Sequence, residues 1–170
     1  MHLIYRSAAL AAATFSLLVL AACDPQRISE LKEGVSTEAD VRDRFGAPEN
    51  VWDGPGGART FEYNRQPAGQ VNYMITIGSD GRMTALRQVL TPETFARVSP
   101  GMRMDEVRRL LGKPAKVTPY ELKKETWADW RYLEAPNQSK VFTVVYGPDQ
   151  FVLRTQTGAD TDAPEFKGGK

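Results

Sequence analysis

The chain has 170 residues, with 22 Lys and Arg against 21 Asp and Glu, a formal net charge of +1 and 41% hydrophobic residues. That balance leaves no polycationic surface and excludes a nucleic-acid partner or strong electrostatic steering. The chain holds one His and one Cys, which excludes an internal disulfide framework, zinc sites built from several such ligands, and Cys-His dyads assembled in a folded core.

Arg6 is the first formal charge, and residues 7–23 run uncharged. A positive start, an apolar run and small residues ahead of Cys23 predict a secretory leader over 1–22. From Ala8 to Ala22 a helix would reach only about 22 Å, against a hydrocarbon core of about 30 Å, so a permanent span is not expected. Leu20-Ala21-Ala22-Cys23 resembles a bacterial lipobox. The resemblance implies a diacylglyceryl group on the Cys23 thiol, cleavage just before it, and an acylated new amino terminus. Ala21 and Ala22 suit a narrow peptidase site, and the thiol is the soft nucleophile that alkylation needs. Residues 23–27 then form the lipidated terminus and a short tether. His2 leaves with the leader, so no imidazole and no free thiol would remain. No enzyme activity, no cofactor and no metal are expected of such a chain. About 150 residues remain, enough for one ordinary domain or two small ones.

An internal repeat organises the rest. Gly34, Val41, Phe45, Gly46 and Pro48 recur as Gly101, Val107, Leu111, Gly112 and Pro114. Further on, Phe61 and Tyr63 answer Trp130 and Tyr132, and Tyr73, Ile75, Ile77 and Gly78 answer Phe142, Val144, Tyr146 and Gly147. Two units follow, over 28–90 and 91–157, with a disordered tail over 158–170 that is rich in Gly, Asp, Pro and Lys.

Each unit opens with a short helix, carrying Ile28 and Leu31 or Phe95 and Val98, that stops at Gly34 or Gly101. In the second copy Thr91-Pro92-Glu93 supplies a cap, an N1 proline and an acid in the first turn. A second helix starts near Ser36 or Thr37 in copy one and buries Val41 and Phe45; its counterpart places Met104, Val107, Leu110 and Leu111 on one stripe. Gly46 with Pro48, and Gly112 with Pro114, read as structural stops rather than ligand loops. Helices of about eight residues do not stand alone and must pack on a sheet. The alternating segments "RTFEYN", "VNYMITI", "ADWRYL" and "KVFTVVY", with turns at Ser79-Asp80-Gly81 and Gly147-Pro148-Asp149, predict that sheet. The fold class is α+β: two tandem units, each with two short helices on a three- or four-stranded antiparallel sheet.

Trp52 and Trp127 precede the aligned strands and read as loop residues, which makes them candidate partner-binding anchors. Arg103, Arg108, Arg109 and Lys113 give the second helix of copy two a basic face, solvated or turned to anionic headgroups.

The pattern of Gly34, Val41, Gly46, Pro48, Phe61 and Tyr63, repeated in Gly101, Val107, Gly112, Pro114, Trp130 and Tyr132, resembles the SmpA/OmlA (BamE-like) family of outer-membrane assembly lipoproteins. The resemblance implies a lipid-anchored, non-enzymatic interaction module in β-barrel protein assembly or envelope integrity. Its partners would be the membrane, through Cys23, and another envelope protein such as the β-barrel assembly machinery. Tandem copies are also similar to the β-lactamase-inhibitor protein fold, which implies an alternative: a periplasmic inhibitor or sequestering module that binds an enzyme through a concave double sheet. The implied address is the outer membrane, facing the periplasm. Asp24 resembles an inner-membrane retention signal and makes the inner membrane the alternative.

Overall fold

The computed structural model describes residues 28–163. The predicted leader, Cys23 with its tether, and residues 164–170 lie outside the described residues.

Residues 28 and 29 are helical, and the chain then enters α1 (Glu38–Phe45). Thr37 caps α1: its hydroxyl accepts the Asp40 N–H, and Asp40 reaches back to the Thr37 N–H at 2.8 Å. Four strands follow, β1 (Asn50–Asp53), β2 (Arg59–Asn64), β3 (Asn72–Ile77) and β4 (Met83–Gln88), in an antiparallel sheet of order β1-β2-β3-β4. The second unit repeats the plan with α2 (Pro92–Phe95), α3 (Met104–Leu111), β5 (Lys116–Tyr120), β6 (Glu125–Glu134), β7 (Gln138–Tyr146) and β8 (Val152–Ala159), in the order β5-β6-β7-β8. Thr91 caps α2 by accepting the Thr94 N–H, with Pro92 at the first helical position.

The α+β class and the tandem arrangement stand, and each sheet has four strands. The helix content is lower than two per unit. Among the described residues the first unit has one full helix, and α2 of the second is a single four-residue turn. A proline start and a stop at Ala96 leave room for no more. Gly158 and Ala159, placed in a disordered tail by composition, are the last residues of β8, because their main chain continues the pairing with Val141 and Lys140. Beyond them Asp160 and Ala163 are buried.

Two cores result. Val41 and Phe45 of α1 pack on Phe61, Tyr63, Ile75, Ile77 and Met83. Val107 and Leu111 of α3, with Phe95, pack on Trp130, Tyr132, Phe142, Val144, Tyr146 and Val152. Full burial of side chains such as Val107 and Leu111 stabilises the fold by about 1.5–3 kcal/mol each. Phe95 stacks on Phe142 with ring centroids 4.2 Å apart and meets Tyr132 edge-on at 4.8 Å.

The second core reaches into the first unit through Met74 and Val89. Met74 points to the face of the first sheet opposite α1, because strand residues alternate and Ile75 faces α1. The first sheet is therefore covered on one side by α1 and on the other by α3, which also covers the second sheet. Among the described residues, the face of the second sheet away from α3 has no helix on it.

Candidate interaction site

Two surfaces gather the functional side chains: the seam between the units and the open face of the second sheet. At the seam, unit-one side chains bond to unit-two main chain. Asn72, fully buried on β3, donates from Nδ2 to the Leu111 and Lys113 carbonyls at 2.8 and 3.1 Å, and its Oδ1 accepts the Arg65 N–H at 3.2 Å. Glu62, also fully buried, accepts the Lys113 N–H at 2.8 Å and lies 3.4 Å from the Arg108 guanidinium. Gln66 makes a two-way contact with Arg131: its Nε2 donates to the Arg131 carbonyl at 2.8 Å and its Oε1 accepts the Arg131 N–H at 3.2 Å. Each of these polar groups is satisfied, as burial requires.

Arg108, Arg109 and Lys113, at the C-terminal end of α3, take partners across this seam, while Arg103 at the other end stays exposed to solvent. Lys113 Nζ sits 2.5 Å from Glu49, and that hydrogen bond holds the Glu49 carboxyl below the usual range. Arg109 lies over the Trp52 ring at 4.8 Å, with Arg108 at 6.0 Å. Arg103 pairs with Asp105 at 3.0 Å.

The turn residues hold these elements in place. Gly46 and Gly112 end α1 and α3 with positive φ (81° and 75°), and their N–H groups donate to Arg42 and Arg108 carbonyls at 2.8 Å. Their carbonyls are each taken by an aromatic of the adjoining sheet, Tyr63 OH at 3.1 Å and Trp130 Nε1 at 2.9 Å. Gly34 and Gly101 donate to Met83 and Val152, tying the segment before each helix to an edge strand. Pro48 and Pro114 lie between helix and strand in each copy, half-buried.

The two candidate anchors come to different places, and neither is in a loop. Trp52 is in β1, paired with Thr60, on the α3 side of the first sheet, where the two arginines hold it. Trp127 is in β6, paired with Thr118 and Val145, on the open face of the second sheet. Its Nε1 donates to Glu125 at 2.9 Å. Glu125 is gripped by Arg154 at 2.7 and 3.1 Å, and this pair, helped by the indole N–H, holds its carboxyl down at about 2. The Tyr120 ring lies 4.8 Å from Trp127, and the Lys123 and Arg154 cations approach the indole to 5.6 and 5.8 Å. An aromatic pair between two cations thus stands on a rigid sheet.

Beside it, Lys116, Asp129, Val141, Thr143 and Gln156 line a depression of about 330 Å³ that Asp160 to Asp162 flank at one end. Thr143 donates to Asp129 at 2.6 Å, and Arg131 anchors Asp160 at 2.6 Å. Composition alone could not mark Tyr120, Lys123 and Arg154 as Trp127's neighbours, since they come from the end of β5, from the turn after it and from β8, two strands along.

Among the described residues no group of three His, Cys, Asp or Glu side chains is placed to hold a metal ion, and no helix is long and apolar enough to cross a membrane.

No family model and no curated protein matches the chain. Two solved structures do. One is a DUF4309 family protein (YjgB) from Bacillus subtilis, 23% identical over 76% of this chain and 82% of that one, with a TM-score of 0.30. The other is a "putative beta-lactamase inhibitor protein" from Streptococcus mutans, 9% identical over 72% of this chain and 82% of that one, with a TM-score of 0.34. The resemblance to the SmpA/OmlA family is thereby corrected: the matched structures belong elsewhere, and the glycines, prolines and aromatics that carried it are used here as helix stops and core.

Proposed function

We propose that the chain is a non-enzymatic module that binds and sequesters another protein through the open face of its second sheet, with Trp127 as the central anchor. The observation that carries this reading is the Trp127 cluster: a half-buried indole fixed by Glu125, tilted against Tyr120 and flanked by Lys123 and Arg154 on a face with no helix over it among the described residues. Large rigid aromatics beside fixed charges are the groups that dominate protein interfaces. A double sheet was the expected clasp, but α3 occupies the matching face of the first sheet, so the reading narrows to the second sheet alone. Lipidation of Cys23 and an address in the cell envelope, facing the periplasm, belong to the same proposal and are supported by the leader and Leu20-Ala21-Ala22-Cys23.

The test is quantitative capture from a periplasmic extract, with wild-type protein against Trp127→Ala, followed by activity assays of each enzyme enriched. The expected result is a captured enzyme whose activity falls on adding wild-type protein and not on adding the variant. Equal capture by both proteins refutes the site. Intact-mass measurement tests the anchor separately, since an unmodified Cys23 thiol would refute it.

A further inference from the structure

The two units join the turn before the main helix to that helix with opposite chemistry. In the first, Arg44 of α1 reaches Glu30 at 3.0 Å and Asp43 at 3.3 Å. By the repeat, Glu30, Asp43 and Arg44 correspond to Arg97, Arg109 and Leu110. Two acids have become two arginines, and the cation that bonded them has become an apolar side chain.

Arg97, just beyond α2, and Arg109 of α3 line a depression of about 480 Å³ between the units, with Arg87 of β4 as a third cation. Met74 and Thr76 of β3 line it too. Among the described residues no Asp or Glu lines it, and the carboxylates that neighbour these arginines are engaged. Glu33 accepts the Leu86 N–H at 3.0 Å as well as pairing with Arg87, Glu93 bonds back to Thr91 and its own main chain, and Asp105 is held by Arg103 at 3.0 Å. Among the described residues no hydrogen bond or ion pair takes the Arg97 guanidinium. That of Arg109 has the Trp52 ring at 4.8 Å, a contact that uses its flat face and leaves its N–H edge to donate. Three like charges around one hollow repel one another unless an anion lies between them.

We infer that this cleft binds a phosphate group, which joins the turn at Arg97 to α3 where the first unit uses an internal ion pair. A carboxylate has two oxygens in one plane and is filled by one or two guanidinium forks. Phosphate presents three or more oxygens in a tetrahedron, which matches forks arriving from β4, from α3 and from the turn after α2. The hollow is larger than the ion alone, so a small ester group fits against Met74. The cleft shares no residue with the Trp127 cluster, and its ligand is independent of what that face binds.

Calorimetric titration of the full chain in non-ionic detergent tests it, with inorganic phosphate, glycerol 3-phosphate and phosphatidylglycerol doped into the micelles as separate probes. Binding of either soluble probe makes the ligand a free phosphate compound; binding of phosphatidylglycerol alone makes it a lipid headgroup. The expected result in either arm is a single saturable site, weakened about ten-fold or more by Arg97→Gln and by Arg109→Gln. Lys32→Gln, which removes the same charge ahead of α1, should leave the affinity unchanged. Arg97→Gln breaks no internal bond, so its melt should match that of wild type and its loss of affinity reads the site alone. Absence of saturable binding with all three probes, equal binding by wild type and Arg97→Gln, equal weakening by Lys32→Gln and Arg97→Gln, or succinate binding as tightly as phosphate each overturns the inference.

Discussion

Asn72 offers the sharpest test of how the two units are held together. Its side chain makes three hydrogen bonds, two donated to carbonyls at the end of α3 and one accepted from Arg65. Asn72→Ala removes all three and leaves their partners in a closed seam. At about 1 kcal/mol for each bond the loss is about 3 kcal/mol. For a chain of this size that lowers Tm by roughly 6–12 °C. Asn72→Asp decides whether hydrogen bonding or volume is responsible. It preserves the shape and the acceptor for Arg65 but points a carboxylate oxygen at the Leu111 and Lys113 carbonyls. At pH 7 it should therefore destabilise more than alanine does. The assay is thermal and urea unfolding followed by circular dichroism, and it separates the two explanations cleanly. An aspartate variant that melts within about 2 °C of wild type would show that the seam depends on packing, and the argument from donors and acceptors would fail.

Gly46 and Gly112 occupy matching helix ends, yet an added Cβ meets nothing at Gly46 and meets Asn72 Nδ2 at 3.0 Å at Gly112. Both alanine variants should lose about 1–3 kcal/mol from backbone strain, with Gly112→Ala the more destabilised in urea melts, and the gap between them should shrink in an Asn72→Ala background. Glu125 is held at about 2 against an ordinary value of 4.5, so its contribution is complete above pH 4.5 and is lost as pH falls toward 2. The Tm difference between wild type and Glu125→Gln should accordingly be present at pH 6 and vanish near pH 2, and a difference that grows on acidification would contradict this sign. Thr91→Ala should lower stability by about 1 kcal/mol through loss of the α2 cap, as measured by urea unfolding.

Much of this architecture was legible in the sequence because it depends on local rules. The repeat showed in Val41 and Val107, Gly46 and Gly112, and the paired aromatics of β2 and β6; the Thr91-Pro92 start and the Asp80-Gly81 turn announced themselves by residue type. Edge strands were harder. Asn50–Asp53 is short and half polar and β5 contains Pro119, so weak β propensity hid two elements whose pairing comes from their neighbours. The seam was illegible for a different reason. Glu62, Asn72 and Gln66 look like ordinary strand and turn polars, and their partners lie 39 to 65 residues away. The same distance problem put Trp52 and Trp127 on an equal footing, when one lies under α3 and the other on an open face.

The amide of Gln66 meets the peptide group of Arg131 in both directions, as a strand residue would, at a stretch of β6 that β5 is too short to reach. A duplicated gene ordinarily yields two pieces that can be parted and still live apart. Here one copy finishes the other's unfinished ladder, so cutting the chain near Leu90 would strand both halves, and the doubling has become a ratchet that cannot be wound back.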